Sequence, residues 1–197
     1  MISINGLKLI IDEICVFKDI SITLLPSAIC YLIGDNGSGK TSLLRILSGI
    51  QKQSDGKISC GKNNNQNIQN SLYIGHNTAI KNELSVLENI MIWSKIYDSI
   101  EKVDAAIHYF NLYDVVNKKC YELSAGNKQK VALTRLLTCN ADFWLLDEVD
   151  QNLDQKNQTL LDRLIITKAN NRGIIIFATQ NHPRIKSAHT INMQDYE

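Results

Sequence analysis

The sequence predicts an α/β fold with an inserted helical subdomain. Two observations carry that prediction. Short apolar, β-branched runs stand toward both ends of the chain, at residues 7–11, 20–24, 28–33, 143–146 and 174–178, and read as strands. Between them lies a stretch whose apolar residues recur at helical spacing. Strands that enclose a helical middle suit one α/β core interrupted by helices.

The elements follow in order. Residues 28–33, Ala-Ile-Cys-Tyr-Leu-Ile, are nearly continuous in apolar character, as a strand covered on both faces requires. A glycine-rich loop comes next, and residues 41–50 then place Leu43, Leu44 and Leu47 on one side of a helix. Residues 51–70 are polar and read as turns around a short strand at 57–60; the run Asn63, Asn64, Asn65 reads as a solvated loop. Residues 71–74 form a further strand. Ser85 and Glu88 stand three apart just ahead of Ile90, Met91 and Trp93, the spacing of a capping box at a helix start. Helical pattern continues with breaks to about residue 117, and another helix spans about 125–138. A helix at 155–169 separates the strands at 143–146 and 174–178. The chain reads as a single domain, with a core of about 1–75 and 140–197 and a helical subdomain of about 77–139. Trp93 and Trp144 read as core residues, and His108 and His189 as structural ones.

Composition excludes several classes of function. The chain has 197 residues, 44% hydrophobic and 21% charged, ordinary values for a globular domain with a full core. A formal net charge of +1 gives no broad basic surface for nucleic acid and no electrostatic hold on an anionic membrane. The five cysteines, Cys15, Cys30, Cys60, Cys120 and Cys139, lack metal-ligand spacing and read as reduced thiols. The first residues do not have the pattern of a signal peptide. No run reaches the roughly 18 apolar residues of a membrane span. Work at a membrane is therefore expected to go through a partner.

Residues 34–41, Gly-Asp-Asn-Gly-Ser-Gly-Lys-Thr, fit the phosphate-loop pattern between a buried strand and a helix. Glycines let successive backbone N–H groups approach a phosphate closely, and the helix that follows adds its positive end. Gly34, Asp35, Asn36, Gly37, Ser38 and Gly39 would form the cradle, with Ser42 behind it. Lys40 reaches the β- and γ-phosphates, and the Thr41 hydroxyl ligates Mg²⁺. A second element is the run Phe143-Trp144-Leu145-Leu146-Asp147-Glu148, in which a buried strand delivers two carboxylates to its C-terminal edge. Asp147 suits a Mg²⁺ ligand and Glu148 suits a base that orients and polarises water. The plainer alternative is two acids capping the next turn, which the neighbouring phosphate loop disfavours.

Two further pieces narrow the class. Leu123-Ser124-Ala125-Gly126 opens a helix shortly before the acidic strand, and Asn152-Leu153-Asp154 follows it. The order of motifs over essentially the whole chain resembles the ATP-binding cassette (ABC) ATPases, which have a phosphate-loop NTPase core, an antiparallel β subdomain and an inserted helical subdomain. The resemblance implies ATP and Mg²⁺ as cofactors and a head-to-tail homodimer. Each ATP would lie between Lys40 of one copy and Ser124, Ala125 and Gly126 of the other, and Asp154 would couple the two sites. It also implies integral membrane permease subunits as partners and a peripheral position on the cytoplasmic face of a bacterial inner membrane. Residues 71–90, with Gly75-His76 and Leu87-Glu88-Asn89-Ile90, look like the ATP-binding subunit of cytochrome c maturation (haem exporter) systems. That likeness implies membrane subunits that handle haem. No haem-attachment pattern occurs here, so direct haem binding is not expected.

Departures from the family pattern bear on turnover. The aromatic that stacks on adenine is missing, with Ile11 nearest its place, and base–aromatic stacking is worth roughly 1–3 kcal/mol. His76 takes the place of the usual glutamine; its imidazole can contact a metal-bound water or relay a domain movement. Gln180 replaces the switch histidine and can hydrogen-bond the γ-phosphate but cannot take a proton. Val149 and Asn127 replace a usual proline and glutamine. Three readings remain beside haem-linked ATPase: an ATPase for another cargo, a nucleotide switch that barely hydrolyses, and a chromosome or repair ATPase. The last needs a coiled coil between Lys40 and Asp147, and no sustained heptads occur there.

Overall fold

The computed structural model describes residues 1–60, 68 and 70–196, so the Asn63–Asn65 run lies outside the described residues. The chain divides into two compact units. The first comprises Met1–Gly75, Ala141–Glu148 and Ile165–Glu197, and the second His76–Asn140 and Val149–Leu164.

The first unit carries two sheets. β1 (Ile2–Ile11), β2 (Ile14–Leu24) and β4 (Asp55–Cys60) form a three-stranded antiparallel sheet in the order β2-β1-β4. β3 (Ile29–Ile33), β5 (Ser71–Ile74), β6 (Phe143–Asp147), β7 (Ile174–Ala178) and β8 (His189–Asn192) form a five-stranded sheet in the order β5-β6-β7-β3-β8, with every pair parallel. Every residue of β6 and β7 is buried, which is why both read as unbroken apolar runs. α1 (Lys40–Leu47) packs Leu43, Leu44 and Leu47 into a core with Phe17, Leu145 and Ile176.

Several elements differ from the sequence reading. β1 and β2 are longer than the expected 7–11 and 20–24, because they are one hairpin closed by Asp12 and Glu13, both at positive φ. Hairpin turns of this type favour Asn-Gly or Asp-Gly, and Asp-Glu gives no such signal. β8 was not foreseen: it is a four-residue edge strand, half exposed, bonded only to β3. Trp144 is buried as expected, but Trp93 is only partly so, with the Arg135 guanidinium 4.9 Å from its ring centroid.

The second unit is helical. α2 (Val86–Ile96) starts at a complete capping box: the Ser85 hydroxyl accepts from the Glu88 N–H at 3.1 Å, and Glu88 accepts from the Ser85 N–H at 2.6 Å. α3 (Val103–Tyr109) follows. The helix expected over 125–138 is two, α4 (Ala125–Leu133) and α5 (Arg135–Thr138). The break sits at Thr134, whose hydroxyl donates to the Val131 carbonyl at 2.7 Å and competes with the helix ladder. α6 (Gln155–Asn170) begins in this unit, and its last turns belong to the first. Among the described residues no helix is long and apolar enough to cross a membrane.

The capping box gives a stability expectation. Ser85→Ala removes the oxygen that caps α2 and should cost about 1 kcal/mol. In a chain of this length that lowers the melting temperature by roughly 2–4 °C in calorimetry. Ser85→Thr should keep most of the parent value, and an unchanged Ser85→Ala melt would mean the cap is not a stabilising contact.

Candidate active site

The site is built where β3 and β6 end. The loop after β3 runs from Gly34 to Gly39, which is the N-cap of α1 at φ 90°. A Cβ at Gly39 would meet Phe17 Cδ1 at 2.9 Å and Val16 Cγ1 at 3.0 Å, so both conformation and space require glycine there. Lys40 is 5% exposed, and its ammonium donates to the carbonyls of Gly34 at 2.7 Å and Asp35 at 2.8 Å. An ammonium has three donors, so one N–H remains for a further acceptor. Ser38 is buried at 4% exposure, and its hydroxyl has no partner among the described residues, an orphan polar atom within the cradle. Thr41 and Ser42, both partly buried, lie in the first turn of α1.

β6 ends at Asp147, which is 1% exposed. Its Oδ1 accepts from the Thr41 hydroxyl at 3.1 Å and its Oδ2 from the Tyr73 hydroxyl at 3.0 Å. Burial pushes the Asp147 carboxyl above its ordinary pKa, against the opposing pull of those two hydrogen bonds. Burial, and then the neighbouring Asp147, pushes the Tyr73 phenol up to about 12. Tyr73 escaped the sequence analysis, because a tyrosine in a short strand reads as packing and nothing marks its hydroxyl.

Glu148 follows at once with φ 55°, a left-handed conformation that is uncommon for a non-glycine residue. Its N–H still bonds the Ala178 carbonyl at 2.9 Å, so the turn comes directly off the sheet. Gln180, two residues past β7, spends both amide N–H donors here: one to Glu148 Oε1 and one to Asn36 Oδ1, each at 2.9 Å. Gln194, from the turn after β8, donates to Asp35 Oδ2 at 2.7 Å. Gly34, Asp35, Asn36 and Gln180 line an open polar cleft of about 250 Å³.

The remaining candidates belong to the second unit. His76 is exposed and is the first residue of that unit, two positions beyond β5. Ser124 is the N-cap of α4, its hydroxyl accepting from the Asn127 N–H at 3.2 Å, and Ala125 and Gly126 form the first turn. A Cβ on Gly126 would meet the Asn152 carbonyl at 2.9 Å, so the start of α4 and the loop before α6 are in close contact. Asp154 caps α6 through Oδ1, which accepts the N–H and side-chain amide of Asn157, both at 2.8 Å; these bonds, the backbone one first, hold its carboxyl below the usual range. Within the first unit, then, a buried cation, a run of loop N–H groups, a hydroxyl against a carboxylate and a second carboxylate come together. That set suits a polyanion with a hard divalent cation and a nearby water to be activated.

The Asp147 environment yields a pH expectation. Because its pKa is raised in the fold, ionising Asp147 opposes folding of the metal-free chain, and the cost appears as pH rises through the raised value. Asp147→Asn removes the cost. In chelator the variant should melt above the parent at neutral pH, with the gap narrowing as pH falls. Equal melting at every pH would show that the carboxylate carries no such burden.

Comparison with known proteins identifies the family. Residues 17–151 match the family model for "ABC transporter". A Rickettsia bellii protein named cytochrome c biogenesis ATP-binding export protein is 48% identical over 195 residues, covering 98% of this chain and 100% of its own length. Proteins with the same name from Wolbachia pipientis, 41% identical over 81% of this chain and 80% of theirs, and Vibrio vulnificus, 30% identical over 91% of each, are also similar. Among solved structures, an ABC transporter ATP-binding protein of Pyrococcus furiosus superposes with a TM-score of 0.86 at 21% identity, covering 100% of this chain and 98% of that one. A dimeric ATP-binding cassette bound to ADP and Pi superposes at 0.79 and 18% identity, over 92% and 88%. The chain belongs to the ABC transporter family, as an ABC ATPase subunit homologous to the cytochrome c biogenesis ATP-binding export proteins.

Proposed function

We propose that the chain binds ATP with Mg²⁺ at the loop 34–41 and hydrolyses it to power the haem delivery or export step of cytochrome c maturation. The observation that carries the reading is the contact of Thr41 with Asp147, flanked by buried Lys40 and by Glu148. The names of the relatives, cytochrome c biogenesis ATP-binding export proteins, support the link to cytochrome c maturation.

The first unit serves as the nucleotide-binding core, and the helices of the second as the helical subdomain. Lys40 and the N–H groups of residues 34–39 bind the phosphates, helped by the N-terminal end of α1. The donors fit Mg²⁺, since a hydroxyl and a buried carboxylate are hard oxygen ligands and Thr41 and Asp147 would hold it together. Bound there, the ion would supply charge neutralisation to the phosphates. Glu148 orients and polarises the attacking water as general base. Gln180 holds the Glu148 carboxylate toward the loop at Asn36 and fixes the direction from which that water is taken. Because the amide cannot take up a proton, the base function stays with Glu148. His76 relays changes at the site to the helical subdomain.

Two copies close head to tail on ATP. Ser124, Ala125 and Gly126 of one copy meet the γ-phosphate held by the other, using the free N–H groups that open α4. Asp154 couples the two sites. Hydrolysis releases the pair, and haem-handling permease subunits on the cytoplasmic face of a bacterial inner membrane take up the motion. Haem itself stays with those subunits. A second reading is a slow nucleotide switch, favoured by Gln180 at the position of the switch histidine.

Glu148→Gln tests the assignment: kcat should fall by roughly 10²–10⁴, while ATP binding persists. Unchanged turnover would remove Glu148 from the role of base. Negligible parent turnover would favour the switch. Purifying tagged Glu148→Gln chain from membranes solubilised with Mg-ATP should recover haem-handling subunits; an unrelated permease would discard the haem reading and keep the ATPase.

A further inference from the structure

We propose that Tyr73 is a positioning residue for the magnesium site, holding the Asp147 carboxylate in its working orientation through the phenolic hydroxyl, with Gly75 as the gap that admits the ring. The inference rests on the Mg-ATP reading above and assigns a role to a residue outside its motifs.

The register of the sheet sets up the contact. β5 pairs with β6 from Ser71 opposite Phe143 to Ile74 opposite Leu146, and there it stops. On the other side β7 continues one step further, with Ala178 opposite Asp147. Asp147 thus has a strand neighbour on one flank only. On the vacant flank the Tyr73 hydroxyl reaches Oδ2 at 3.0 Å.

Gly75 makes room for this. A Cβ there would lie 2.7 Å from the Tyr73 hydroxyl oxygen and 2.9 Å from two ring carbons, Cε1 and Cζ. The ring therefore lies across the backbone of residue 75, and any side chain at that position pushes it off Asp147. The positive charge of Arg45 on α1 pulls the pKa of the same phenol the other way, downward. A guanidinium only donates, so it leaves the phenol proton for the carboxylate.

The two donors to Asp147 have different roles. Thr41 is itself a ligand candidate, so its hydroxyl is committed to the ion when the site is loaded. Tyr73 touches the far oxygen, Oδ2, and stays available as an anchor. A tyrosine has two side-chain torsions and a rigid ring, so it fixes the carboxylate rotamer at small entropic cost. Partners that orient a metal-ligating carboxylate typically contribute 10- to 100-fold to metal affinity.

The test uses the full chain and the binding of a fluorescent ATP analogue, titrated with Mg²⁺ or held in chelator. Tyr73→Phe keeps the ring and deletes the hydroxyl. It should raise the Mg²⁺ concentration for half-maximal tightening by about tenfold, within the range for such partners, and leave binding in chelator unchanged. Gly75→Ala should shift the Mg²⁺ requirement in the same direction while retaining the phenol. In metal-free protein, the melting shifts of Tyr73→Phe and Asp147→Ala should be non-additive, since each deletes the contact and it can be lost only once. An unshifted Mg²⁺ titration for Tyr73→Phe, or equal weakening with and without Mg²⁺, would reduce Tyr73 to a packing residue and overturn the inference while the Mg-ATP reading stands. Parent chain whose nucleotide affinity ignores Mg²⁺ would overturn the reading itself and this inference with it.

Discussion

A carboxylate with 1% of its surface exposed has to be surrounded by donors, and the first unit is arranged around that requirement at Asp147. The parallel sheet brings the donors from distant parts of the chain. β6 carries the acid, α1 brings Thr41 from 106 residues away, and β5 brings Tyr73 from 74 residues away. None of these contacts is local, so the site exists only when the sheet does. The loop that holds Lys40 hangs from β3, and β3 reaches β6 only through β7. Each strand in the order β5-β6-β7-β3 therefore contributes one wall of the same chemical environment.

Around the second carboxylate the solution differs. Glu148 sits at the edge of the sheet in a left-handed conformation, held by one backbone bond and by the amide of Gln180. The amide ties it to Asn36, a residue of the loop between β3 and α1. One acid is thus clamped by hydroxyls in a dry place, and the other is tethered by a neutral amide beside an open cleft. Two carboxylates adjacent in sequence acquire different electrostatic surroundings, which is how a pair can divide binding and base functions.

Much of this was legible in the sequence. The strands at 71–74 and 174–178 match β5 and β7, because each is a short apolar run between clear breaks. The capping box at Ser85 was readable because its signal lies within four residues. The loop at 34–41 and the acids at 147 and 148 stood out because motifs of that kind demand particular residues at particular spacings, and the structure brings the two together through Thr41 and Asp147. What escaped depends on partners far away or on weak local signals. Asp12-Glu13 closes a hairpin without a turn-forming glycine, and Thr134 breaks a helix through a side-chain bond that periodicity ignores. Trp93 looked like core, yet its ring faces a guanidinium. Tyr73 and Gln194 reach the site over 74 and 159 residues, and a residue type alone says nothing about where a hydroxyl or an amide will land.

The strand order also has a consequence in time. β3 lies between β7 and β8, and both are made long after it. Asp35, at the head of the loop, meets Gln194 only 159 residues later. At ribosomal rates of 5–20 residues per second that is a wait of roughly 8–30 s. Through most of that interval β3 has neither of its sheet neighbours, and its apolar edge is open to any other strand. The segment that becomes the loop between β3 and α1 is thus among the first parts of this fold to be synthesised and among the last to be formed, and its protection on the way is a matter for whatever holds the nascent chain.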